Sequence, residues 1–115
     1  MKTPTWKNQK LGTVDGFKIE LSFEEEYDLE PRHHFINECG WSAEEYNAIK
    51  NFYWFTAKIT VYLGSIECGS AYLCECCYKS LKEIMNNKQH KNILSGYAPQ
   101  MINEAIDEAK ARLAA

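Results

Sequence analysis

No apolar run in the 115-residue chain approaches the roughly 20 residues that a membrane-spanning helix needs. The stretch Met1 to Asn8 also lacks the apolar segment of a secretory signal, so the expected compartment is the cytoplasm, where thiols stay reduced. Excess positive charge is missing too. Lys and Arg number 13 against 16 Asp and Glu, and the net charge of -3 gives no general electrostatic reason to bind nucleic acid. There is no glycine-rich phosphate loop, hydrolase serine elbow or zinc-protease histidine pair. The five cysteines are an odd count, which excludes complete disulfide pairing within one chain, and free thiols are expected.

Apolar residues make up 45% of the chain and aromatics 13%, enough for one folded domain spanning residues 1–115 without metal or disulfide staples. Residues 1–15 read as a polar N-terminal arm that docks through Trp6 and ends in a turn at Asp15-Gly16. Phe17, Ile19, Leu21 and Phe23 alternate with Lys18, Glu20 and Ser22, which predicts a strand with one wet face. The carboxylate-rich stretch Glu24 to Glu30 follows, and Pro31 breaks it. Residues 32–41 suggest a short helical turn ended by Gly40. Ser42-Ala43-Glu44-Glu45 has capping-box spacing and predicts a helix ending near Asn51.

Residues 53–63 alternate again and predict a second strand. Gly64-Ser65 predicts a turn and Ile66 to Cys68 a short extended segment. Gly69-Ser70 then marks a second turn or a bulge before a third strand over 71–77. A second capping box at Ser80 to Glu83 opens a helix through about Asn86. Met101, Ile102, Ala105, Ile106, Ala109 and Leu113 make one stripe of a final helix, with Pro99 in its first turn. The order predicts an α+β fold: a small antiparallel sheet of about three strands with helices against one face.

The stretch Gly69 to Tyr78 has the pattern Gly-Ser-x-Tyr-Leu-x-x-Cys-Cys-Tyr. With Gly16-Phe17-Lys18-Ile19, Trp54-Phe55, Ala57-Lys58-Ile59-Thr60 and the helix from Gly96-Tyr97 to Ala109, it resembles a family of small uncharacterised proteins of phages, plasmids and bacterial genomes. The resemblance covers most of the chain. This chain departs from the family at Cys74 and Glu75, where small residues are common, and at Cys68, where an aliphatic residue is usual. The resemblance implies no catalytic residue. Its association with mobile elements implies a small protein that binds and inhibits a host protein, such as a defence protein.

Four chemistries remain to be weighed. Zinc would need four tetrahedral ligands, and Cys68, Cys74, Cys76 and Cys77 lie close in sequence, with His33, His34 and Cys39 upstream. Their spacing matches no common zinc knuckle, and small buried hydrophobes are the simpler reading. A reactive thiol at Cys76 or Cys77 would gain from the helix end at Ser80 and from Lys79, but His33 or His34 must reach it through the fold. Lys79, Lys82, Lys88, His90 and Lys91, with Tyr53, Trp54 and Tyr62 as a stacking platform, would suit nucleic acid; the small basic cluster disfavours that.

The fourth chemistry is the acidic segment. Consecutive glutamates point to alternate faces, a poor arrangement for a shared metal or an acid–base pair, and a solvated face is the simplest account. The leading expectation is a non-enzymatic protein-interaction module without a cofactor. Glu24, Glu25, Glu26, Asp28 and Glu30, with Trp54 and Tyr62 on the wet face of the central strand, would meet a partner protein with a basic surface. Exposed strand edges are also compatible with a homodimer.

Overall fold

In the computed structural model, which describes residues 1–114, the chain forms an α+β fold around a four-stranded antiparallel sheet. The strands β1 (Gln9–Val14), β2 (Phe17–Glu24), β3 (Tyr53–Leu63) and β4 (Ile66–Tyr78) lie side by side in chain order. The extra strand is β1, inside the predicted arm. Its alternation is hidden because a bulge between Lys10 and Gly12 lets Leu11 turn into the core. Asp15 and Gly16 both have positive φ, 52° and 83°, as a tight two-residue hairpin loop requires.

The inner face of the sheet is the main core. Phe17, Ile19 and Leu21 of β2 and Phe55, Ala57, Ile59 and Val61 of β3 are buried there, and Leu21 pairs with Ile59 and Ile19 with Val61. The long helix α3 (Ala98–Ala114) covers them with Ala98, Met101, Ile102, Ala105, Ile106 and Ala109. It crosses β4 at Gly69, where any Cβ would collide with the Ala105 carbonyl oxygen. That contact explains why Gly69-Ser70 makes no turn: the strand runs on through Tyr78, and the glycine serves close approach to the helix.

The outer face is covered at one end only. After Glu24 the chain crosses the sheet through a π-helical segment (His33–Glu38) and α1 (Ala43–Ala48), then returns at Tyr53. The Ser42 capping box forms, with Glu45 N–H donating to Ser42 Oγ and Ser42 N–H donating to Glu45 Oε1, both at 3.1 Å. Helix α1 stops at Ala48, short of the expected Asn51. Phe35 meets Trp41 at 4.6 Å and Trp54 at 5.7 Å, and Tyr46 is buried beside it, giving a small second core.

Short elements close the inner side. Helix α2 (Leu81–Met85) is capped by Ser80, whose Oγ accepts from Glu83 N–H at 3.2 Å. Two 3₁₀ turns, Asn86–Lys88 and His90–Gly96, lead to α3 and bury Ile93 and Leu94. Tyr78 Oη and Ser95 Oγ share a hydrogen bond of 2.8 Å. At the N-terminus Lys2 bridges to Tyr53, and Trp6 packs on Phe23, Tyr53 and Phe55.

Candidate functional site

The acidic segment divides by role. Glu24 pairs with Thr56 on the outer face, and from there the chain crosses toward β4. Glu26 Oε1 accepts from Thr56 Oγ1 at 3.2 Å and from Glu75 N–H at 3.0 Å, so its carboxylate ties the crossing to a bulge in β4. Glu30 accepts from Arg32 N–H at 3.3 Å and His33 N–H at 3.2 Å, which caps the start of the π-helical segment. Both are committed to the fold. Glu24, Glu25 and Asp28 are exposed and make no ion pair among the described residues.

The two aromatic positions also separate. Trp54 is only 5% exposed; His34 and Phe35 cover it, and its Nε1–H donates to the Leu29 carbonyl at 3.0 Å. The free aromatic it was expected to supply comes instead from Tyr72, which is 52% exposed on the neighbouring strand. Tyr72 falls within the expected third strand over 71–77, but the bulge at Cys74-Glu75 breaks the alternation that would have shown which face it takes. Lys58 lies 5.5 Å over the Tyr72 ring and 3.4 Å from Glu67, a cation–π and ion-pair bridge across the open face. Burial acts to lower the Lys58 pKa, but the hydrogen bond to Tyr72 and the Glu67 charge outweigh it, and the net direction is upward. Tyr62 stands at the same end, its phenol held protonated by burial and by Glu20 and Glu67.

Tyr53 faces the core side with Trp6, opposite to Trp54 and Tyr62, so these three rings do not form one stacking platform. The cysteines are likewise dispersed and all free. Cys68 and Cys76 are buried, and their thiols donate to the Ile66 carbonyl at 3.4 Å and the Leu73 carbonyl at 3.2 Å. Burial drives Cys76 up to about 12 and Cys77 up to about 11, the reverse of an activated nucleophile. Among the described residues the four candidate sulfurs form no common ligand group.

A different polar cluster does form. His34 and Glu38 lie one helical turn apart on the π-helical segment. Glu75 comes from the β4 bulge, in the left-handed conformation with φ 58°. His34 Nδ1 is 2.9 Å from Glu75 Oε2 and 3.2 Å from Glu38 Oε2, while its Nε2 is 3.6 Å from Cys39 Sγ. His33 Nε2 lies 3.8 Å from the other Glu38 oxygen. A cavity of about 410 Å³ opens beside the cluster, lined in part by His34, Glu75 and Tyr97. The four-residue spacing of His34 and Glu38 is a local signal that none of the sequence expectations used, and Glu75 carries no such signal, because only the bulge turns it toward the helix.

The fold and surface define a small α+β protein: a four-stranded antiparallel meander with one helix-covered face and one face left partly open. No protein-family model, curated protein or solved structure matches the chain.

Proposed function

We propose that the chain is a non-enzymatic interaction module that binds a partner protein through the open end of its sheet. The observation that carries this reading is the apolar exposure of the β3–β4 hairpin: Leu63 at 46%, Ile66 at 69% and Tyr72 at 52%. Ile66 and Tyr72 lie on β4, an outer strand of the sheet, and project from its two faces; Leu63, at the end of β3, pairs with Ile66. An outer strand offers backbone donors and acceptors to an extended partner segment, and exposed apolar side chains add contact area. Glu24, Glu25 and Asp28 give a basic partner a matching charge at the crossing segment. The resemblance to mobile-element proteins supports a host protein as that partner, inhibited by occupancy. The five free thiols suit a reducing compartment such as the cytoplasm.

The test is affinity capture from a bacterial host lysate with the wild-type chain, an Ile66→Asp, Tyr72→Ala variant and a Glu24→Lys, Glu25→Lys, Asp28→Lys variant. The expected result is one stoichiometric partner, lost with both variants while their melting temperatures match the wild type. Capture that survives both sets of substitutions, or no stoichiometric partner from any host lysate, would overturn the reading. Self-association of the purified chain through β4, seen by analytical ultracentrifugation and abolished by Ile66→Asp, would replace it with a homodimer.

A further inference from the structure

We propose that His34, Glu38 and Glu75 form a binding site for a divalent first-row transition metal of the zinc type. The ligand atoms of the three side chains lie within 4.8 Å of one another. Two carboxylates converge on one imidazole nitrogen, at 2.9 and 3.2 Å from Nδ1. Ligands at about 2.1 Å from one metal are separated by about 3.0 to 3.4 Å for octahedral to tetrahedral angles. Both His34–carboxylate distances lie close to that range, and the two carboxylates, within 4.8 Å of each other, close the third edge by drawing together around the cation.

Charge argues the same way. The only ion pairs of Glu38 and Glu75 among the described residues are with His33 and His34. Glu26 adds a third carboxylate through its hydrogen bond to Glu75 N–H. A divalent ion held between Glu38 and Glu75 neutralises both ligating carboxylates at once.

The donor set selects the class of metal. One imidazole and two carboxylates suit zinc, manganese or iron(II) better than calcium, which takes six to eight oxygens. The outer contacts also match a ligand histidine. The second ring nitrogen of His34 is engaged by Cys39 Sγ at 3.6 Å, and the Glu75 backbone is fixed by Glu26. Two of the three ligands, His34 and Glu75, also line the 410 Å³ cavity, which would give water or a small anion access to a bound metal.

The experiment uses the full chain stripped with EDTA and titrated with Zn²⁺ and with Co²⁺ at neutral pH. One metal per chain is expected, with affinity falling at least tenfold in each of Glu38→Gln, Glu75→Gln and His34→Ala and unchanged in Glu24→Gln. The cobalt complex should show visible d–d bands without a sulfur charge-transfer band. Glutamine keeps the side-chain size, so the two glutamine variants carry the test even where His34→Ala unfolds. No binding, binding indifferent to Glu38→Gln and Glu75→Gln, or a sulfur charge-transfer band would overturn the proposal. The last of these would point to the thiols instead.

Discussion

Glu26, one of three consecutive glutamates, does something its neighbours do not: its carboxylate joins β3, β4 and the crossing segment through Thr56 and Glu75. Nothing in the local sequence separates it from Glu24 and Glu25; only the bulge at Glu75 does. The caps at Ser42 and Ser80, by contrast, were readable because their partners are three residues away. Cysteine behaviour also becomes specific at this scale. In the unfolded chain thiols ionise near about pH 8.5. Burial, the leading cause in both, raises Cys76 to about 12 and Cys77 to about 11. Above about pH 8.5 the unfolded state therefore binds fewer protons than the folded state, and stability falls as pH rises. Urea midpoints at about pH 8 and pH 10 should show this decline, and a Cys76→Ala, Cys77→Ala variant should show a shallower one, whatever its absolute stability. An equal slope in both proteins would contradict the buried placement of these thiols.

At the scale of elements, the strands with clean alternation, β2 and β3, were legible, and so was the apolar stripe of α3. The misread elements share a cause: tertiary contact changes what a residue means. Leu11 is core only because β1 bulges, and Gly69-Ser70 looks like a turn until α3 is laid across it. Gly69→Ala tests that crossing. Its φ is not in the left-handed region, so alanine would on backbone grounds alone stabilise the chain by about 0.4 to 1 kcal/mol. The new Cβ, however, meets the Ala105 carbonyl oxygen and lies 3.0 Å from Ala109 N, both backbone atoms of a packed helix that cannot rotate away. Overpacking of this kind costs about 1 to 3 kcal/mol, so the net effect is destabilising, by roughly 1 to 2 kcal/mol. Chemical denaturation reads it directly, and a variant as stable as the wild type would mean that α3 does not seat on β4 as described.

For the whole molecule, the two faces of the sheet are unequal, and that asymmetry organises its stability. The inner face joins all four strands to α3 and the 3₁₀ turns in one continuous core. On the outer face the packed aromatic group among the described residues is Phe35, Trp41, Tyr46 and Trp54, held by a crossing segment whose ends lie in β2 and β3. The sequence showed these aromatics but not that they sit opposite α3, because the side taken by a connection of this length is set by the packing of Trp54 and the Glu26 tie. A segment with so few buried contacts should open at lower free energy than the sheet beneath it. Phe35→Ala removes the ring that links Trp41, Tyr46 and Trp54, at a cost of about 3 kcal/mol where the ring is well packed and less here, since Phe35 is only half-buried. Hydrogen exchange should then show faster exchange over residues 30–50 and at Glu75, with the β3 amides of Ala57 to Val61 still protected. Global loss of protection would make the two cores one cooperative unit. An unchanged pattern would mean that the ring does not hold the segment. The expected partial opening would also loosen the approach of His34 and Glu38 to Glu75, so Phe35→Ala should weaken Zn²⁺ binding while leaving the hairpin surface at Ile66 and Tyr72 intact. The metal site and the interaction surface would thereby be separable in a single variant.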